Sequence, residues 1–219
     1  MDDKTLLQVS DLSVRIHTAS GILTVVDGVS FVLARNEVLC VVGESGSGKS
    51  VTMLSVMRLL DERVTEYGGR VEFADQDLLT APSSSMRHIR GSQIAMIFQD
   101  PMTALNPVYP VGWQVAEQIR EHQNISAKSA RTQTIELLRN VGIPDPESRV
   151  DAFPHQLSGG MRQRIMISLA LSCRPRVLIA DEPTTALDVT IQAQILQLIR
   201  ELKDETGMAV VLVTHDMGG

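Results

Sequence analysis

Eight consecutive residues, Gly43-Glu44-Ser45-Gly46-Ser47-Gly48-Lys49-Ser50, carry the strongest chemical signal in the chain. Glycine at the first and sixth places, then lysine and a hydroxyl residue, is the spacing of a loop that wraps phosphate groups. The glycines let backbone N–H groups turn inward around an anion, and the helix that follows presents its positive end to it. In that arrangement Lys49 reaches the β- and γ-phosphates of a nucleoside triphosphate, and Ser50 offers its hydroxyl oxygen to Mg2+. Gly43, Glu44, Ser45, Gly46, Ser47, Gly48, Lys49, Ser50 and the adjoining Val51 are therefore the expected nucleotide-binding set.

A second signal is Val177-Leu178-Ile179-Ala180-Asp181-Glu182, an apolar run that ends in two adjacent carboxylates. A strand tip of this kind places Asp181 beside Mg2+ through water. Adjacent side chains diverge, so Glu182 points toward the γ-phosphate, where it orients or deprotonates an attacking water. Alone, the pair also fits a solvated strand end. Combined with the glycine loop, it predicts the opposite side of one Mg-nucleotide site.

A third signal is Leu157-Ser158-Gly159-Gly160-Met161-Arg162-Gln163-Arg164, in which a serine cap and two glycines open a helical pattern. This is another anion-binding helix start. One nucleotide does not need two complete cradles, so Ser158, Gly159 and Gly160 make sense if they serve ATP held by another copy; otherwise they form a simple glycine-rich N-cap.

These residues need elements to hold them. Val38 to Val42, Val177 to Ala180 and Ala209 to Val213 are apolar runs without polar alternation, which predicts strands buried on both faces. Each is followed by polar or glycine-rich residues and then a helical pattern, the layout of a parallel sheet with ligands at the carboxyl ends of its strands. Leu7 to Ile16 and Gly28 to Leu33 read as hairpin strands with a turn at Asp27-Gly28, giving a small antiparallel layer. Between Pro107 and Pro154 the period becomes helical: Val115 pairs with Ile119, and Ile135, Leu138 and Val141 mark a face stopped by Gly142 and Pro144. Ala81 to Ser85 reads as a polar loop. The expected organisation is α/β, a P-loop NTPase core with a mainly parallel sheet, a small antiparallel β layer and an inserted α-helical subdomain. Residues 1–106 and 157–219 form the core and 107–156 the insert.

Composition narrows the class of function. The chain of 219 residues is long enough for a substantial core, and Lys plus Arg at 20 against Asp plus Glu at 26 gives a net charge of −6, which disfavours a general role on nucleic-acid phosphate. No apolar stretch approaches the roughly 20 residues needed to span a bilayer. Cys40 and Cys173 show neither disulfide nor metal-ligand spacing, which fits a reducing compartment.

With glycine loop, carboxylate-tipped strand and LSGGQ-like segment in this order, the chain resembles the nucleotide-binding domain of ABC transporters along essentially its whole length. The resemblance implies a glutamine that senses the γ-phosphate and Mg2+, matched by Gln99 in Ile97-Phe98-Gln99-Asp100-Pro101. It implies a loop that communicates across a dimer, matched by Thr185-Ala186-Leu187-Asp188, and a switch histidine, matched by His215. Glu182, His215, Lys49 and Gln99 are then the catalytic group, and Ser50, Gln99 and Asp181 the Mg2+ group. Two positions depart from the family: Ile16 stands where an aromatic usually stacks on adenine, and Met161 replaces the last glutamine of the signature.

The segment Ala95 to Pro107, taken with Leu157 to Arg164, resembles the ATPases of di- and oligopeptide importers, with nickel and glutathione importers as close alternatives. The implied partners are a second ATP-binding subunit, transmembrane permease subunits and, indirectly, an external solute-binding protein, at the cytoplasmic face of the membrane. Nucleic acid is not an expected partner; the competing class is a soluble ABC ATPase acting on nucleic acid or ribosomes. ABC cassettes normally continue beyond the switch histidine, so a chain ending at Gly219 reads as a truncated form.

Overall fold

A computed structural model describes residues 5–100, 104–184 and 189–215. The expected Thr185 to Asp188 loop, and with it Asp188, lies outside the described residues. Two four-stranded sheets carry the chain. The first is antiparallel, in the order β2-β1-β4-β5, from β1 (Thr5–Thr18), β2 (Gly21–Ala34), β4 (Thr65–Phe73) and β5 (Gln76–Asp77). The second is parallel, in the order β3-β8-β7-β6, from β3 (Val38–Val42), β6 (Ile94–Ile97), β7 (Val177–Asp181) and β8 (Ala209–Thr214). The described helices are α1 (Lys49–Val56), α2 (Ser83–Ile89), α3 (Val111–His122), α4 (Ala127–Asn140), α5 (Pro146–Arg149), α6 (Gly159–Leu171) and α7 (Val189–Thr206). None of them is long and apolar enough to cross a membrane.

Strands β6, β7 and β8 of the parallel sheet are buried because alternate residues along them serve different cores. Val177 and Ile179 of β7, with Val211 and Val213 of β8, pack toward α1, α2 and the antiparallel sheet through Met53, Val56, Met86 and Leu7. Leu178 and Ala180, with Val210, face α3, α4, α6 and α7 through Val115, Leu138, Ile165 and Ile195. A run of valine, leucine and isoleucine without polar alternation follows from having apolar layers on both sides.

The antiparallel sheet is a larger part of the molecule than a small flanking layer, for β1 and β2 each run 14 residues and β1 also pairs with β4. The expected turn at Asp27-Gly28 is not a turn. The chain reverses at Ala19-Ser20 instead, and Asp27-Gly28 falls inside β2, where the pairing slips between Leu12 with Val29 and Val14 with Val26. Gly28 takes φ +65 there. A glycine in the left-handed region absorbs the extra residue of a bulge as readily as it makes a turn, so the dipeptide is ambiguous in sequence. The expected loop at Ala81 to Ser85 becomes helical at Ser83, with Pro82 as the residue before it. The expectation of burial on both faces holds for β7 and β8 and fails for β3, whose Val38 and Val42 are 48% and 42% exposed. Among the described residues β3 pairs only with β8, which makes it the edge strand of the sheet those residues form. Cys40, on the same outward side, is exposed and Cys173 is half-buried, and neither is in a disulfide.

The helices after β6 follow the sequence period. Val115 and Ile119 are the buried face of α3, and α4 stops at Asn140, with Val141 as its cap and Gly142 at φ +75. Ser126 caps the start of α4, its side chain accepting from the Ser129 N–H.

Candidate functional site

Parallel pairing brings the carboxyl ends of the sheet to one edge: Val42 lies beside Thr214, Val213 beside Asp181, and Ala180 beside Ile97. The glycine loop leaves β3 at this edge and enters α1. Gly46 and Gly48 take φ +81 and +89, where a side chain is strained. Gly48 is constrained twice, because a Cβ there would stand 2.7 Å from the Val25 carbonyl oxygen of β2. It is also the N-cap of α1, which has no side-chain cap, so no side chain claims the N–H groups of its first turn.

Lys49 is 8% exposed and folds back over the loop, donating to the carbonyls of Gly43 at 2.7 Å and Glu44 at 2.8 Å. These bonds satisfy a buried ammonium and hold its charge at the mouth of the loop. Next to it, the Ser50 hydroxyl donates to Asp181 Oδ1 at 3.0 Å, joining α1 to the tip of β7. Asp181 is 5% exposed. Burial pushes its carboxyl above the usual carboxylate range and the charge of Glu182 pushes the same way, while the Ser50 hydrogen bond and the Lys49 charge pull it down.

Glu182 stands just past the strand at φ +46, with its N–H bonded to the Val213 carbonyl at 3.0 Å. Its carboxylate accepts from Gln99 Nε2 at 2.8 Å and has His215 Nδ1 at 3.4 Å. Gln99 follows β6 and His215 follows β8, so three strand ends converge on one carboxylate oxygen, Oε2. The sequence-expected Lys49, Ser50, Asp181, Glu182, Gln99 and His215 are thus one connected cluster.

An open cavity of about 500 Å3 lies over it, lined by Ser45, Gly46, Gly48, Lys49, Ser50, Val51, Gln99 and Glu182 together with Leu23, Thr24 and Val25. Those three β2 residues were missed in the sequence. Ile16, the expected adenine contact, is not among the lining residues, whereas Leu23, its cross-strand partner, is. A larger cavity of about 620 Å3 lies at the opposite, amino ends of the strands beside Arg35, Arg174 and Gly207, far from the carboxylate cluster. Size alone would choose the wrong end of the sheet.

Ser158, Gly159 and Gly160 do not line the cavity. They form the start of α6, where the Ser158 hydroxyl accepts from the Met161 N–H at 3.3 Å. Sequence reading also missed Gln163. It is 2% exposed, and its side-chain amide donates to the carbonyl of Pro183, directly after Glu182. Its spacing to Ile167, four residues on and fully buried, is the signal that would have placed it on an inward helix face.

The sequence model of the ABC transporter family matches residues 26–185. The chain is 52% identical to the dipeptide transport ATP-binding proteins DppD of Escherichia coli (strain K12) and Haemophilus influenzae, each over 212 residues and 97% of this chain. It spans 64% to 65% of those relatives' own length. A solved dimeric ATP-binding cassette in a post-hydrolysis state bound to ADP and Pi superposes with a TM-score of 0.85 at 26% identity, covering 97% of this chain and 89% of that one.

Proposed function

The chain belongs to the ABC transporter family, and we propose that it is the ATP-hydrolysing cassette of an importer for di- or oligopeptides. The observation that carries this reading is the meeting of Gln99, Glu182 and His215 next to the linked Lys49, Ser50 and Asp181, at the edge where the glycine loop opens. The peptide assignment rests on the names of the relatives and on the Ala95 to Pro107 and Leu157 to Arg164 segments.

The residues present fit a Mg-nucleotide. Gly48 leaves a helix start uncapped, and Asp181 is a carboxyl whose charge burial disfavours, a group that a divalent cation would keep ionised. Ser50, Asp181 and Gln99 would hold Mg2+, whose charge, when bound, neutralises that of the phosphates. Lys49 exchanges its bonds to the Gly43 and Glu44 carbonyls for phosphate oxygens. Glu182 orients an attacking water and accepts its proton, while Gln99 and His215 fix the carboxylate. Ser158 to Gly160 complete the ATP site of a second cassette, as two such chains face head to tail.

Residues 107–156 form the helical subdomain that meets the permease. Val108, Tyr109 and Trp113 are exposed there, and the two rings stack at 4.4 Å between centroids, an apolar patch suited to a membrane subunit. The cassette then sits peripherally at the cytoplasmic face. The test is peptide uptake into vesicles carrying the permease and this protein: uptake requires ATP and stops with Glu182→Gln, whereas ATP-independent uptake rejects the reading.

A further inference from the structure

The peptide bond after Glu182 is held from both sides, and the two holders belong to different parts of the molecule. Glu182 sits at φ +46, a region that costs a non-glycine residue on the order of 1 kcal/mol or more and persists only where neighbours enforce it. Its N–H is fixed to Val213 of β8. On the other side the Pro183 carbonyl accepts from Gln163 of α6, and the next carbonyl, that of Thr184, accepts from Gln192 of α7 at 3.2 Å. Proline has no N–H and a fixed φ, so little slack remains between the Gln163 bond and the Glu182 carboxylate. Gln163 lies just over one helical turn from the Ser158 to Gly160 start of α6.

We infer that Gln163 is a positioning residue: it ties the start of α6 to the geometry of Glu182 in the same chain. The inference rests on the proposed hydrolysis and on the proposed head-to-tail pair. In such a pair the α6 start touches the nucleotide held by the second copy, while Glu182 serves the nucleotide held by its own glycine loop. A shift of α6 on engaging one nucleotide therefore moves the carboxylate that acts on the other. Gln163 then carries part of the coupling between the two sites, and its loss lowers the cooperativity of hydrolysis in ATP.

The test compares Gln163→Met, which keeps bulk without a donor, and Gln163→Glu, which sets a carboxylate against the carbonyl, in the full-length protein assembled with its membrane subunits. Both variants are expected to lower kcat about 10-fold or more, Glu more than Met, and to bring the Hill coefficient for ATP toward 1. The affinity for ATP by calorimetry stays within about two-fold of the parent. Gln192→Met serves as comparator, since it loosens the same loop from a helix that does not carry the Ser158 to Gly160 start; it leaves the Hill coefficient unchanged. Parental kcat and cooperativity in Gln163→Met would overturn the inference. So would a loss of affinity and thermal stability in step with kcat, or an equal loss of cooperativity in Gln192→Met, because each marks a role confined to folding. If the parent protein itself hydrolyses no ATP, the proposed function fails first, and that outcome is read separately from the variants.

Discussion

Two helices in this molecule start with glycine and serine, and they are prepared for anions in different ways. The start of α1 has no side-chain cap, and Lys49, Ser50, Asp181, Glu182, Gln99 and His215 are gathered around it. The start of α6 is capped by Ser158 and gathers none of these groups. The first brings the Lys49 ammonium, the Ser50–Asp181 pair and the Gln99–Glu182–His215 group to one edge of the sheet within a single chain. The second, on the proposed reading, serves a nucleotide held by another copy. A glycine-rich helix start is thus only a permission for anion binding, and the neighbouring strand ends decide whether chemistry can follow.

The sharpest way to break that comparison is to remove the group that only the first site possesses. Glu182→Gln keeps the side-chain shape and the glycine loop, so ATP binding persists while turnover falls by at least ~100-fold; steady-state hydrolysis beside calorimetric binding checks both halves. Lys49→Ala weakens ATP binding itself, by ~10-fold or more, because its charge acts in the ground state as well as in the transition state. An unchanged calorimetric affinity would remove Lys49 from the cradle.

Ser158→Ala addresses the second start. It removes a cap worth about 1 kcal/mol and disturbs the surface offered to another copy, leaving ATP affinity of the single chain intact while weakening ATP-dependent dimerisation. Light scattering with and without ATP reads the difference. If affinity for ATP falls in the monomer instead, the two starts belong to one site.

Two smaller effects test how the first start is built. Gly48→Ala meets both a positive φ and the Val25 carbonyl, whereas Gly46→Ala meets only the φ, with open space around the new Cβ. In urea unfolding Gly48→Ala is expected to cost about 2 kcal/mol or more and Gly46→Ala about 1 kcal/mol. Asp181→Asn is expected to stabilise the nucleotide-free protein. The folded carboxyl has its pKa raised, mainly by burial, so the stability it contributes is present below the unfolded value near 3.8 and lost as pH rises through the folded value. Above the folded value the ionised, buried carboxylate is a burden that asparagine lacks. The gain in Tm is expected to be largest above the folded value and to shrink as pH falls toward the unfolded one.

Contiguous chemistry was legible in the sequence. The loop from Gly43 to Ser50, the Asp181-Glu182 strand tip and the Ser158 cap each sit where their local pattern placed them. Gln99 and His215 were located only through the family resemblance, because a lone glutamine or histidine carries no local pattern. What remained illegible depends on residues distant in sequence. Leu23 to Val25 reach the cavity because β2 folds over α1, and Gln163 acquires its partner only when α6 meets the turn after β7. The exposure of β3 was likewise hidden, since an apolar pentamer reads the same at an edge as at the centre. Gly28 misled because bulges and turns ask for the same backbone.

The edge position of β3 has a consequence for how the molecule breathes. Amide hydrogens in β7, flanked by strands on both sides and covered on both faces, should exchange with solvent only through global unfolding, whereas those of β3 escape through smaller openings. The glycine loop is attached to the strand that exchanges early, and the carboxylates to the strand that exchanges last. A nucleotide gripping the loop and lying against Asp181 and Glu182 would tie the fast strand to the slow one, so its binding is expected to slow deuterium uptake in Val38 to Val42 far more than in Val177 to Asp181.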